Sequence, residues 1–229
     1  MRRLKKLLFT AGVAVLMATA IPSLATAAGW DLDIETGMFP LKFTVESSET
    51  TITRTGGGGT VTCLKTEGEG SYTTATEGTL DFTLKNCTKL GGEECHSKGA
   101  KAEEVTTTTV AFQNIMIDST VQLLNGRPGI LVTGNNNHVA TLECKFGNVE
   151  LIGNGFIGEI SLLCSSGEWK STPTVDFSST AFGEQTYKQI ETTGTVFDLT
   201  YRLGTSSGTA SIDSKPKFKF ERSVKTTCP

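Results

Sequence analysis

The chain has 229 residues and carries 21 lysines and arginines against 24 aspartates and glutamates, a formal charge of -3. A mildly acidic chain lacks the basic excess that binds nucleic acid or anionic membranes, so neither is expected as a partner. The length can bury a sizeable core and is common for a single all-β domain.

The first predicted element is a secretory signal peptide over residues 1–27. A basic start is followed by an apolar stretch over 7–20, and Ala25-Thr26-Ala27 fits the small-x-small cleavage rule. The apolar stretch is shorter than the roughly 20 residues of a membrane-spanning helix. We therefore expect cleavage before Ala28 and an exported protein without a membrane span. Cleavage removes four basic and no acidic residues, so the charge changes from -3 to -7.

The mature chain begins with an acidic segment, DLDIE, in which alternation would place Asp31, Asp33 and Glu35 on one face of a strand. The segment resembles the E-x-D-x-E strand of laminarinase-like glycosidases, with Asp31 in place of the first glutamate. Two carboxylates across a sugar are what glycoside hydrolysis requires. The alternative is a solvated acidic segment or an edge strand, because only Trp30 and Trp169 are available to build a sugar cleft.

Hydrophobic and polar residues alternate in four later segments, which predicts strands with one buried face. Glycine-rich turn signals, such as TGGGGT at 55–60, separate these segments. Short strands with frequent turns predict an all-β fold, a single antiparallel β-sandwich of jelly-roll-like or Greek-key type over residues 28–229. The predicted inward residues are Leu41, Phe43 and Val45; Leu80, Phe82 and Leu84; Phe197, Leu199, Tyr201 and Leu203; and Phe218 and Phe220.

Six cysteines in an exported chain predict a framework of disulfides. A zinc site is not expected, because Cys87, Cys95 and His96 lack an evident fourth ligand and the usual paired spacing is absent. Gly91 and Gly92 would let the chain turn back, so we predict that Cys87 pairs with Cys95. The alternative is that each bonds to a distant strand. The six are Cys63, Cys87, Cys95, Cys144, Cys164 and Cys228.

The segment GNGFIG at 153–158 matches the G-x-G-x-x-G pattern of dinucleotide-binding proteins, with Asp176 at the spacing of a ribose-binding acid. That mechanism needs a helix to begin at the glycines. Ile160, Leu162 and Cys164 alternate instead as in a strand. The glycines are therefore predicted to permit a bulge or a close backbone approach, and no cofactor is expected.

The remaining catalytic possibilities are sparse. The sequence has no G-x-S-x-G motif, and its two histidines, His96 and His138, are predicted to be surface loop residues. We therefore predict an exported, non-catalytic protein that acts at or outside the cell envelope by adhesion, ligand binding or a structural role. Its partner would be an extracellular or envelope ligand of unknown identity. The alternative is a secreted glycoside hydrolase that uses Asp31, Asp33 and Glu35.

A family resemblance is carried by residues 60–160. Cys63, the strand TLDFTLKNC, the later ECKFG and the segment GNGFIGEI are similar to a family of secreted actinobacterial β-rich proteins of unassigned function. The resemblance implies the same fold class and compartment and brings no activity with it.

The resemblance also bears on the cysteine pairing. Cys63 and Cys144 belong to the part that resembles the family, whereas Cys164 and Cys228 are additional to it. On that basis Cys63 is predicted to pair with Cys144, and Cys164 with Cys228.

Overall fold

The structure is a computed structural model, and all of the regular elements it describes are β-strands. The predicted signal peptide lies outside the described part of the chain. The described residues are 29–55, 59–89, 91–118, 127–145, 147–162, 164, 167–180, 184–187, 189–190 and 195–228.

The strands are numbered in chain order. They are β1 (Asp31–Ile34), β2 (Leu41–Ser47), β3 (Thr50–Arg54), β4 (Thr60–Tyr72), β5 (Glu77–Lys89), β6 (Glu93–His96), β7 (Val105–Thr106), β8 (Val110–Asp118), β9 (Arg127–Thr133), β10 (His138–Cys144), β11 (Gly147–Gly153), β12 (Phe156–Ile160), β13 (Val175–Asp176), β14 (Gln189–Ile190), β15 (Thr195–Val196), β16 (Leu199–Leu203), β17 (Ser206–Ser214), β18 (Lys217–Phe220) and β19 (Val224–Thr227).

Eight of these strands close into an antiparallel barrel. Its order is β5-β6-β10-β11-β16-β17-β3-β4, and β4 pairs again with β5. The barrel consists of four hairpins, β3–β4, β5–β6, β10–β11 and β16–β17. Because neighbouring strands are antiparallel, the strand ends that these four hairpins join all lie at one end of the barrel, here called the hairpin end.

The two longest strands extend beyond the barrel. β4 and β5 have 13 residues each, and their outer halves pair with β2 and β8. This produces a second run of strands, β18-β2-β4-β5-β8-β9-β12-β13, here called the extension sheet. Its two edges meet through backbone hydrogen bonds from Val175 N to Pro216 O (2.9 Å) and from Phe218 N to Pro173 O (2.8 Å).

The long strands change their pattern of burial where barrel and extension sheet join. On β4, Val61 and Cys63 are buried, Leu64 and Lys65 are both exposed, and burial resumes at Thr66. On β5 the corresponding residue is Asn86, which has a left-handed φ of 53°. An irregularity of this kind bends a strand and lets both halves keep their apolar side chains in one core.

The extension sheet encloses an aromatic cluster with ring centroids 4.6 to 6.0 Å apart. Two glycines make room for it. A Cβ on Gly70 would lie 2.4 Å from Phe43 Cζ, and one on Gly78 would lie 2.5 Å from Phe112 Cζ. The cluster consists of Phe43, Tyr72, Phe112, Phe218 and Phe220.

The alternation that predicted strands is confirmed. All the predicted inward residues are buried except Phe82 and Leu203, which are half-buried. The all-β prediction is confirmed, but the single β-sandwich is not what forms. Alternation specifies which face of a strand is buried, and a closed barrel satisfies that requirement as well as two facing sheets do.

Trp30 connects the N-terminal segment to this core. It is fully buried, and its Nε1 donates to Gly129 O at 2.9 Å. The side-chain amide of Asn114 donates to Trp30 O (3.2 Å) and Ala75 O (3.1 Å). The same side chain accepts a hydrogen bond from the Tyr72 hydroxyl at 2.9 Å. Burial raises the pKa of Tyr72, so this hydroxyl remains a donor.

Three disulfides are present, and only one of the predicted pairs is among them. Cys164 pairs with Cys228 as predicted. The predicted Cys87–Cys95 and Cys63–Cys144 pairs are wrong. The observed pairs are Cys63–Cys87 and Cys95–Cys144.

The strand register explains the two wrong pairings. Cys63 lies directly opposite Cys87 on β4 and β5, and Cys95 lies directly opposite Cys144 on β6 and β10. β5 pairs with β6 only at its last two residues. At Cys87 its backbone N–H donates instead to Glu103 O at 3.1 Å. The short loop therefore brings Cys87 and Cys95 onto neighbouring strands, but each has a directly facing partner elsewhere.

Candidate functional site

The first four residues of the acidic segment form strand β1, in which Leu32 is buried. The strand pairs with β19 in a two-stranded sheet, with Asp31 and Glu35 exposed and Asp33 half-buried. Asp33 Oδ2 accepts a hydrogen bond from Thr227 Oγ1 (2.6 Å) and lies 3.8 Å from Lys225 Nζ. The structure thus places Asp31 and Asp33 on β1 and Glu35 just after it, and Asp33 already has two partners.

The two tryptophans differ in their availability near this strand. Trp30 is fully buried and cannot stack on a ligand. Trp169 is 38% exposed, but Lys225 Nζ lies 4.9 Å from its ring centroid. A sugar stacking on that face of the ring would have to displace Lys225, which also neighbours Asp33.

The histidines and the glycine motif lie on strands. His138 Nε2 is 2.8 Å from Thr141 Oγ1, and His96 Nε2 is 3.8 Å from Glu143 Oε2. The prediction that both histidines lie in surface loops is therefore wrong. The GNGFIG segment leads into β12, and a Cβ on Gly153 would lie 2.1 Å from Asp198 O. That glycine permits the close backbone approach that the sequence predicted.

A broad concave surface lies on the outward face of the extension sheet and is here called the outer groove. It consists of two adjoining depressions of about 540 and 600 Å³. Both depressions are lined by Thr44, Glu69 and Asp81. Lys101 and Glu104, from the segment after β6, form one wall.

Strand register arranges the floor of the groove in rows. One row contains Lys219, Thr44, Glu69 and Asp81, contributed in turn by β18, β2, β4 and β5. A neighbouring row contains Lys42, Ser71 and Thr79. Adjacent strands lie about 4.8 Å apart, so ammonium, hydroxyl and carboxylate groups recur at a short and regular spacing. The backbone pairing beneath them fixes the position from which each side chain leaves the sheet.

Carboxylates face one another across this floor. Glu46 lies directly opposite Glu67, and Glu69 lies directly opposite Asp81. Like charges in directly opposed positions are destabilising in an antiparallel sheet. At Glu67 the repulsion is offset by Lys65 and Lys85, and Lys85 Nζ lies 2.5 Å from its carboxylate.

Lys65 and Lys85 change the pKa of the Glu67 carboxyl group. Hydrogen bonds from Lys65, the largest cause, and from Lys85, the next largest, lower the pKa of Glu67 from 4.5 to about 2. Because the pKa is depressed in the folded protein, the associated stabilisation is present above pH 4.5 and is lost as the pH falls towards 2. We expect a carboxyl-detected NMR titration to give a pKa near 2 for Glu67. Lys65→Met should raise that pKa, whereas Lys219→Met should leave it unchanged.

A pKa for Glu67 near 4.5 in the unmodified protein would contradict the two-lysine arrangement.

The sequence did not identify the outer groove, because outward polar residues on strands are ordinarily only solvated. The alternation of Glu67, Glu69 and Ser71 with Gly68 and Gly70 was its one visible sign.

The described ranges contain no group of three or more His, Cys, Asp or Glu side chains placed to hold a metal ion. They also contain no helix that is long and apolar enough to cross a membrane.

Comparison with known proteins finds no matching family, curated protein or solved structure. The resemblance to secreted actinobacterial proteins therefore stays a prediction.

Proposed function

We propose that this chain is an exported, non-catalytic β-protein that binds a polar polymer of the cell envelope in the outer groove. Export is supported by the predicted signal peptide over residues 1–27 and by three disulfides, which persist in oxidising compartments. The observation that carries the binding role is the groove itself. Each of its two depressions has a volume in the range of ligand sites, and its floor is formed by regular strand pairing.

The chemistry of the floor favours a hydroxyl-rich ligand. Lys42 and Lys219 can donate hydrogen bonds, Glu69 and Asp81 can accept them, and threonine and serine hydroxyls can do both. A glycan chain presents donors and acceptors along its length and would match this sequence of groups. The lining aromatics, Phe43 and Phe220, are buried beneath the floor, so recognition would rest on hydrogen bonds and not on ring stacking.

Binding can be tested with the mature chain on a glycan array and in a pull-down with purified cell walls. Replacing both Glu69→Gln and Asp81→Asn should weaken binding by at least about tenfold, because hydrogen bonds to charged groups are lost. The double replacement should not destabilise the fold, since it removes a like-charge pair.

The matched control neutralises two carboxylates elsewhere. Asp31→Asn with Glu35→Gln should leave binding unchanged, because Asp31 lies on β1, Glu35 directly follows it, and neither lines the groove. Single replacements in the same acidic segment address the glycoside hydrolase alternative. Turnover of a β-glucan by the mature protein, lost in Asp33→Asn or Glu35→Gln without unfolding, would contradict the proposal. Absence of binding to every polysaccharide would contradict it as well.

A further inference from the structure

A second polar site is indicated at the hairpin end of the barrel. Four buried side-chain polar atoms in the described residues have no hydrogen-bond partner, and three of them belong to this end. They are Arg54 Nε, Glu93 Oε2 and Tyr201 OH. Native proteins satisfy the great majority of buried polar atoms, so a cluster of unpartnered ones points to an occupant.

Register brings Arg54 and Tyr201 to the same face. Arg54 ends β3, and its side chain passes over Gly208, where a Cβ would lie 2.8 Å from Arg54 Nε. Gly208 lies directly opposite Tyr201 on β16 and β17. The guanidinium donates through Nη2 to Ser206 Oγ (2.8 Å) and Ser207 O (3.1 Å). Those bonds orient the guanidinium through Nη2, and the buried Nε–H has no acceptor.

Tyr201 is fully buried, and its hydroxyl reaches across the barrel end towards β4. A Cβ on Gly59 would lie 3.7 Å from Tyr201 OH and 3.7 Å from Lys89 Cε. The tyrosine hydroxyl and the lysine side chain therefore approach each other over this glycine. Burial raises the pKa of Tyr201, so its hydroxyl keeps its proton and can donate.

Glu93 completes the set from the neighbouring hairpin. It lies directly opposite Lys89 on β5 and β6, so both side chains face the same side of the sheet. Two positions further along their strands are the cysteines of the Cys63–Cys87 and Cys95–Cys144 disulfides. The polar groups thus lie one layer above two covalent links between adjacent strands.

The unsatisfied groups define the chemistry of an occupant. Arg54 Nε–H and Tyr201 O–H are donors and call for an acceptor, which the positive charges of Arg54 and Lys89 favour as an anion. Glu93 Oε2 is an acceptor and calls for a donor. We propose that the hairpin end binds a small carboxylate that also carries a hydroxyl or ammonium group, with the carboxylate on Arg54 and Tyr201 and the donor on Glu93. This site is independent of the outer groove.

The test is an NMR titration of the mature protein with L-lactate, L-alanine, acetate and ethanolamine. Lactate and alanine should give saturable shifts in residues at the hairpin end. Acetate should bind about tenfold more weakly, because it lacks a donor for Glu93, and ethanolamine should not bind. The absence of a saturable response to both lactate and alanine would overturn the proposal. Ethanolamine binding as tight as that of alanine would overturn it too.

The two buried tyrosines supply a matched pair of variants. Tyr201→Phe should weaken lactate binding about tenfold and leave the free protein at least as stable, because it removes an unpartnered hydroxyl. Tyr72→Phe should leave binding unchanged, because the Tyr72 hydroxyl bonds to Asn114. If Tyr201→Phe instead destabilises the free protein and lactate binding is unaffected, ordered water holds these groups and the proposal fails.

Glu93→Gln separates the two ligand classes. The amide keeps an acceptor oxygen but loses the negative charge, so alanine binding should weaken more than lactate binding. Equal weakening of lactate, alanine and acetate binding would contradict the proposed role of Glu93 as the acceptor for the ligand's donor group.

Discussion

Replacing Trp30 with alanine is expected to lower the free energy of unfolding by about 3 to 5 kcal/mol. The indole is fully buried and donates to Gly129 O at 2.9 Å. Its removal opens a cavity and leaves that carbonyl without its donor. It also loosens the segment whose backbone carbonyl accepts from Asn114, which in turn accepts from Tyr72. The loss should therefore extend to the aromatic cluster of the extension sheet.

Urea denaturation followed by circular dichroism measures this effect, and Trp169→Ala is the matched control. Trp169 is 38% exposed, and Lys225 Nζ lies 4.9 Å from its ring centroid. Substitutions at such positions usually change stability by about 0.5 kcal/mol or less. Equal losses for the two variants would contradict the burial of Trp30 and its role in anchoring the N-terminal segment.

Removing the Cys63–Cys87 disulfide by a double alanine replacement is expected to cost roughly 3 kcal/mol. The pair closes a loop with a sequence separation of 24, and that cost follows from the chain entropy released in the unfolded state. Both cysteines are fully buried within the barrel, so the lost packing adds to the effect. Thermal unfolding of the double variant, compared with the unmodified protein under non-reducing conditions, measures it.

A second double variant tests the connectivity directly. Cys87→Ala with Cys95→Ala should leave Cys63 and Cys144 without their partners and expose two reactive thiols on denaturation. If Cys87 and Cys95 paired with each other, as the short glycine loop suggested, the same variant would keep a Cys63–Cys144 disulfide and show no free thiol. Thiol counting by mass spectrometry after alkylation distinguishes the two results.

Strand register explains why the predicted Cys87–Cys95 disulfide does not form. Gly91 and Gly92 do allow the chain to turn, and β5 and β6 do form a hairpin. Which sulfur a cysteine meets depends on the residue directly opposite it, and for Cys87 that residue comes from β4. Proximity along the chain brings two cysteines near each other, but strand register orients them.

The candidate sites likewise depend on which strands pair and not on local motifs. Asp31, Asp33 and Glu35 were visible as a motif. The structure gives Asp33 partners from β19 and leaves Asp31 and Glu35 exposed. The outer groove consists of residues that appear unremarkable in the sequence, because each is one outward position on an ordinary strand. Only the pairing of four strands places them in rows.

The sequence by itself determined the local features: strands with a buried face, turns at glycines, and cysteines in an even number. These follow from short-range physics, because alternation and backbone freedom act over a few residues. The tertiary structure alone decided that eight strands close into a barrel, that Trp30 is buried, and that Arg54, Glu93 and Tyr201 lie at the same end of that barrel. Those outcomes depend on which distant strands pair, and that is settled by the packing of the whole core.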